Sequence, residues 1–239
     1  PLVVGVNGAQ GSGKTTLVRG LVDYLGERKV ATVGFSLDDI YLTNAEQKKL
    51  AQEHPNNPLL RFRGQPGTHD YMLGKKTLES LLQNAKPTPI PAYDKSLQSG
   101  YGDRVPQTQW RLSSPSVDVV LFEGWNLGFR SLDEKEFAKF IAKVQDTEKD
   151  DPLYKHSRNY SAESLSEINE YLKKYEATLY PLIDAWVYMR IADADIVYRW
   201  RKEQEDELAA TGRPSLSDSQ LEDFVTRFLP GYEMALGKL

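Results

Sequence analysis

The run Gly8-Ala9-Gln10-Gly11-Ser12-Gly13-Lys14-Thr15 has the GxxxxGK[ST] spacing, and its chemistry is phosphate binding. Glycines in such a loop let main-chain N–H groups curl around a β-phosphate, and a helix starting there adds its positive end. Lys14 would neutralise β/γ oxygens and Thr15 would offer its hydroxyl to Mg²⁺, so Gly8 through Thr16 is the expected ATP-binding segment. Asp38 and Asp39 lie in Ser36-Leu37-Asp38-Asp39-Ile40-Tyr41. A carboxylate there can accept the proton of an attacking hydroxyl or hold a water on Mg²⁺, and the sequence leaves open which of the two is the base. The plain alternative is an acidic turn ending a strand. Glu123 directly follows the apolar run Val117 to Phe122, which suits a carboxylate aimed at Mg²⁺. Thr15, Asp38 and Glu123 are therefore the metal candidates. Arg199-Trp200-Arg201-Lys202 offers cations that could close over a transferring phosphoryl, with Arg199 and Arg201 in a catalytic role. Its bland reading is a solvated helix face paired with Glu203 and Glu205. Arg63, His69, Asp70, Tyr93, Lys95 and Arg104 cluster in one irregular stretch and, with Asp39 and Tyr41, suggest a small anionic substrate. Taken singly, any of these cations could instead form a surface pair worth little.

These groups need elements to hold them. Leu2 to Val6 is a short unbroken apolar run, as in a parallel strand buried on both faces. Lys14 to Leu25 carries Leu17, Val18, Leu21, Val22 and Leu25 at helical spacing, with Gly26 as its expected C-terminal stop. Val30 to Ser36 reads as a second strand. Thr43-Asn44-Ala45-Glu46 is a capping box opening a polar helix to about residue 53. From Pro55 to Pro115 periodicity mostly fails, with one helix expected around Lys76 to Leu82. A long irregular segment inside a compact domain is usually functional or disordered, and the clustered polar residues favour a substrate-binding excursion over about 40–116. Val117 to Phe122 is the next strand. Helices are expected over Asp133 to Val144 and Glu163 to Ala177, separated by a charged loop from Gln145 to Asp151. Ala185 to Ile191 is a further strand. Ala194 to Ala209 is a polar helix running into the breaker Thr211-Gly212-Arg213-Pro214, and about 195–216 is the expected lid. Ser217-Asp218-Ser219-Gln220 caps a last helix that ends near Pro230. Strands alternating with helices imply an α/β fold: a doubly wound, mostly parallel sheet in a single domain over 1–239.

Composition narrows the chemistry. With 30 basic and 34 acidic residues the net charge is −4, without the basic stripe of a nucleic-acid binder. Cysteine is absent, and His54, His69 and His156 are too scattered for a helical metal pair, which removes disulfides and zinc hydrolysis. No apolar run approaches the roughly 20 residues of a membrane span, and no signal peptide is visible, so no membrane partner is expected. The expected location is cytoplasmic, or organellar if a leader preceded Pro1. The sequon Asn159-Tyr160-Ser161 is read as a chance match in a polar loop. No Asn-Lys-x-Asp or Thr-Lys-x-Asp guanine box is present, no Asp-x-x-Gly switch follows the second strand, and Glu123-Gly124 lacks the Asp-Glu pair of ATPase motors. A small-molecule kinase is the class that remains. A nucleotide-sensing regulatory protein on the same fold is the alternative, disfavoured because a sensor needs no catalytic carboxylate.

Several segments together resemble the plant and fungal D-glycerate 3-kinase group, which includes fungal ATP-dependent kinases of less certain substrate. That group belongs with the uridine kinase, pantothenate kinase and phosphoribulokinase relatives among P-loop kinases. The matching text is Gln10-Gly11-Ser12-Gly13-Lys14, Asp38-Asp39-Ile40-Tyr41-Leu42-Thr43, Arg63-Gly64-Gln65-Pro66-Gly67-Thr68-His69-Asp70 and Tyr93-Asp94-Lys95-Ser96. It continues through Gly102-Asp103-Arg104, Phe122-Glu123-Gly124-Trp125, Tyr198-Arg199-Trp200-Arg201 and Phe224-Val225-Thr226-Arg227-Phe228-Leu229-Pro230-Gly231-Tyr232. The resemblance implies a P-loop kinase core using ATP and Mg²⁺, with Asp38 at the catalytic carboxylate position and Glu123 at the Mg²⁺-linked one. It implies transfer of the γ-phosphoryl to a hydroxy acid, D-glycerate first, with a nucleoside or pantothenate-like metabolite as the alternative acceptor. It does not indicate the oligomeric state. Similar proteins continue into another strand after the Pro230-Gly231-Tyr232 helix, where this chain stops at Leu239, so the sheet is expected to lack an edge strand or the chain to be incomplete.

Overall fold

The computed structural model describes residues 1–146, 152–191, 196–211 and 217–235. Most of the loop expected over 145–151, the start of the helix expected from Ala194, and the breaker residues Gly212, Arg213 and Pro214 lie outside the described residues.

Four strands, β1 (Leu2–Gly8), β2 (Thr32–Ser36), β5 (Val119–Gly124) and β6 (Ala185–Met189), form a parallel sheet in the order β2-β5-β1-β6. Period-two alternation sends their side chains to both faces. Val6 and Leu121 meet Val18 on α1 (Lys14–Glu27), while Val3, Val33, Phe35, Val120 and Phe122 enter the opposite core. There they pack on Leu78 and Leu81 of α3 (Tyr71–Gln83) and on Tyr175 and Leu179 at the end of α5 (Ala162–Thr178). The sheet is thus wound on both faces. The crossover from β1 through α1 to β2 leaves room for β5 between them, so the C-terminal ends of three strands converge. Glu123 of β5 is in register with Val6 of β1 and Ser36 of β2. This is the edge of an open α/β sheet where ligands bind.

Between β2 and β5 the chain inserts α2 (Asn44–Glu53), α3 and an antiparallel pair, β3 (Tyr93–Asp94) with β4 (Asp103–Arg104). A third core joins α4 (Glu134–Gln145), α5, α6 (Ile196–Ala210), α7 (Asp218–Thr226) and α8 (Leu229–Ala235) around Trp125, Phe129 and Leu172. These helices supply the cover over the strand ends.

Several boundaries differ from those expected, four of them with a clear physical reason. Gly26 does not stop α1: the left-handed residue is Lys29 (φ 62°), whose N–H reaches Gly26 O while Val30 N–H reaches Leu25 O. Those two bonds satisfy carbonyls that a helix end leaves open, and they consume Lys29 and Val30, so β2 starts at Thr32. Helix α3 starts at Tyr71 because the Asp70 carboxylate caps it, accepting from Leu73 N at 2.9 Å. The strand expected to end at Phe122 runs on to Gly124, which seats Glu123 inside the ladder. The last helix breaks at Arg227–Phe228 and restarts at Leu229, with Pro230 in a first turn where its missing N–H costs nothing.

Candidate active site

Strand β1 delivers the phosphate loop. Gly11 has φ +82°, and a Cβ there would lie 2.7 Å from Cβ of Trp200, so α6 packs directly on the loop. Gln10 N–H donates to the Tyr232 hydroxyl at 3.1 Å, bracing the loop from α8. Ser12 N–H donates to Ala9 O at 3.1 Å, and Lys14 Nζ donates to the same carbonyl at 3.2 Å. Thr15 and Thr16 are exposed on the first turn of α1, in line after Gly8 and Gly13. Thr15 Oγ1 donates to Glu123 Oε1 at 2.9 Å. Burial lowers the Lys14 pKa, an effect that the nearby Glu123 and Asp38 charges oppose. Burial raises that of Glu123, against Lys14 and the Thr15 hydrogen bond.

Among the described residues no group of three His, Asp or Glu side chains converges as a metal cage. A magnesium ion at bound phosphates needs none, because it keeps several waters and takes one or two protein oxygens. Thr15 Oγ1 and Glu123 Oε1 are such a pair of hard oxygen donors, placed beside the loop, so the residues fit that ion.

Asp38 and Asp39 have different surroundings. Asp39 Oδ2 accepts from Ser36 N at 2.7 Å and Ser36 Oγ accepts from Asp38 N at 3.1 Å, a capping box that closes the turn after β2. Burial raises the Asp39 pKa to about 6, with Asp38 and Glu123 adding to it against the Ser36 bond. Asp38 instead receives Lys95 Nζ at 2.5 Å and the Tyr41 hydroxyl. Burial alone would raise its pKa, but the Lys95 and Tyr41 contacts and the nearby His69 outweigh it and hold it below the ordinary value.

The two most distinctive motifs meet through the backbone. Residues Ile40–Leu42 run antiparallel to Thr68–Asp70: Asp70 N–H donates to Ile40 O at 2.7 Å and Leu42 N–H to Thr68 O at 2.9 Å. Consequently Tyr41 stacks on His69, with ring centroids 4.3 Å apart, and meets Tyr93 edge-on at 5.3 Å. Gly67 has φ +101° and lies flat against Tyr171, where a Cβ would come within 2.6 Å of the ring. Asp38, Tyr41, His69 and Lys95 therefore gather beside the phosphate loop, with Tyr93 adjoining. Arg63, Asp70 and Arg104 brace this cluster. Arg63 donates to Gly100 O at 2.9 Å and to Tyr101 O, pinning the turn between β3 and β4. Arg104 donates to Tyr41 O at 2.8 Å and pairs with the Asp70 carboxylate at 3.2 Å.

On α6, Arg199 is exposed, while Arg201 donates to Glu205 at 2.7 Å and lies over the Phe224 ring at 5.2 Å. Tyr175, Tyr232 and Trp200 are neighbours of the site that residue-type reasoning passed over. Tyr175 follows Leu165, Ile168 and Leu172 on the buried face of α5, and for all three residues only the hydroxyl or the packing partner in space marks the site.

No family model matches the chain. It is 37% identical over 241 residues to an uncharacterized kinase of Schizosaccharomyces pombe, covering 100% of this chain and 82% of that protein. It is 38% identical over 245 residues to the chloroplastic D-glycerate 3-kinase of Arabidopsis thaliana, all of this chain but 48% of that protein. The solved structure of a D-glycerate 3-kinase from Cryptococcus neoformans superposes with a TM-score of 0.85 at 36% identity, covering 98% of this chain and 78% of that one.

Proposed function

The chain belongs to the family of D-glycerate 3-kinases and related kinases within the P-loop kinases, and from that membership we propose that it phosphorylates D-glycerate to 3-phosphoglycerate. Membership makes it an ATP-dependent small-molecule kinase; the acceptor is the inference. The observation that carries it is the Asp38 carboxylate, held by Lys95 at 2.5 Å and by Tyr41 in the field of Lys14. A base and a cation so placed suit an acceptor that brings both a hydroxyl and a negative charge.

In this reading the phosphate loop, Gly8 through Thr16, holds ATP, and Lys14 stabilises the β/γ oxygens. Mg²⁺, held by Thr15 and Glu123, would neutralise charge on the same phosphates. Lys95 is more than half exposed and free to swing from Asp38 to the acceptor carboxylate. That frees Asp38 to take the proton of the acceptor hydroxyl as its oxygen bonds to the γ-phosphorus and the bond to the β-γ bridging oxygen breaks, releasing ADP. Arg199, and Arg201 once released from Glu205, would close on the transferring group. Residues of about 40–116 act as the acceptor-binding excursion of one kinase domain and about 195–216 as its lid.

ADP release across hydroxy acids, nucleosides and pantothenate tests the reading. D-glycerate should give the highest kcat/KM, with 3-phosphoglycerate as product. A nucleoside or glycerol that outcompetes it would remove the acceptor assignment and leave the kinase.

A further inference from the structure

His69 is 1% exposed, and its Nδ1 lies 2.8 Å from the Tyr175 hydroxyl. That oxygen accepts from Gly67 N–H at 3.0 Å and also faces the main-chain N–H of His69. Nδ1 is the one acceptor within reach of the Tyr175 hydroxyl hydrogen among the described residues, so the hydrogen goes there, Nδ1 must be bare, and the ring hydrogen sits on Nε2. Nε2 is buried and has no hydrogen-bond partner. Tyr41 covers one face of the imidazole, and the Tyr41 hydroxyl is bonded to Asp38. The ring therefore presents a single unanswered N–H within the field of Asp38 and Lys95. A buried unpaired donor of this kind is what a site uses to recognise a ligand oxygen, and it rejects analogues that leave it unpaired.

We propose that His69 Nε2–H is a specificity-determining donor to the acceptor oxygen on the carbon next to the attacking hydroxyl, and that Tyr175 is the positioning residue that sets its tautomer. This rests on the functional reading above. Asp38 faces the attacking hydroxyl and Lys95 the carboxylate, so the neighbouring oxygen is the one left for His69. Burial holds the imidazole pKa down to about 3, so the donor persists across neutral pH.

The test compares D-glycerate with 3-hydroxypropanoate, which keeps the carboxylate and primary hydroxyl but lacks the C2 oxygen. Wild-type kcat/KM should favour D-glycerate by about 10²-fold or more. His69→Asn and Tyr175→Phe should bring the two acceptors within about tenfold while the KM for ATP holds. His69→Gln, whose amide N–H reaches the Nε2 position, should keep most of the preference. Imidazole ¹⁵N NMR should find the Nε2–H tautomer in the wild type, a readout that does not depend on any variant folding, and mixed tautomers in folded Tyr175→Phe. An Nδ1–H tautomer, a wild type indifferent to the C2 oxygen, or an unchanged preference in folded His69→Asn and Tyr175→Phe would each overturn the inference while D-glycerate turnover stands. A folded chain that phosphorylates no hydroxy acid overturns the functional reading itself, and the inference with it.

Discussion

Asp38 and Asp39 are chemically identical neighbours with different partners. The Asp39 carboxylate terminates the backbone of a turn, whereas Asp38 meets Lys95 and Tyr41 beside the phosphate loop. Asp38→Asn should therefore keep the KM for ATP and lower kcat by about 10²–10⁴. Asp39→Asn should keep kcat within a few-fold and cost about 0.5–2 kcal/mol of stability, as a weakened cap does. Steady-state kinetics with urea denaturation separate the two; an equal loss of kcat in both variants would mean the pair works as one unit. His69 carries a stability prediction with a definite sign. Its pKa is depressed to about 3 in the fold, so the unfolded chain binds the proton more readily and stability falls as pH drops below about 6.5. Each pH unit between about 6.5 and 3 should cost about 1.4 kcal/mol, and His69→Gln should flatten that part of the curve. Urea midpoints for both proteins at pH 7.5 and 5.5 measure it, and parallel curves would refute it.

At the scale of elements, local signals succeed where the side chain acts on its own backbone. Thr43 with Glu46 and Ser217 with Gln220 cap α2 and α7 as their spacing requires. The end of α1 is the exception, because the left-handed residue is Lys29 and not the nearby Gly26. A β-carbon in that conformation costs roughly 1–2 kcal/mol, so Lys29→Gly should raise stability by about 0.5–1 kcal/mol after the added unfolded-state entropy of glycine. A lower urea midpoint in Lys29→Gly would show that the lysine side chain contributes more than its strain removes.

For the whole molecule the important contact joins the first loop to the distant helices. Trp200 of α6 packs on Gly11 and Tyr232 of α8 bonds to Gln10, so the helical cover is tied directly to the phosphate loop. If Arg199 closes on the transferring phosphoryl, Arg199→Ala should lower kcat by up to about 10³–10⁵, and lysine should restore only part, lacking the planar fork. Arg201→Ala should lose less unless closure breaks its bond to Glu205. Both alanine variants retaining wild-type kcat at saturating substrates would leave α6 as a packed helix without a role in transfer.

The phosphate loop, the alternating strands and helices, the resemblance to the glycerate kinases and the two capping boxes were legible in the sequence alone, because each depends on residues close together in the chain or on fixed spacing. The division of labour between Asp38 and Asp39 was not, since it depends on whether Ser36 or Lys95 is the nearer partner in space. Nor was the bracing by Arg63, Asp70 and Arg104, whose partners come from the excursion's own folding. Tyr175 was invisible for the same reason: in the chain it is one more apolar-face aromatic of a helix, and only tertiary packing, which brings it 106 positions back against His69, turns its hydroxyl into a choice of tautomer. Hydrogen bonds and ion pairs act over a few ångströms of space, and spacing along a chain encodes that distance only within a single element.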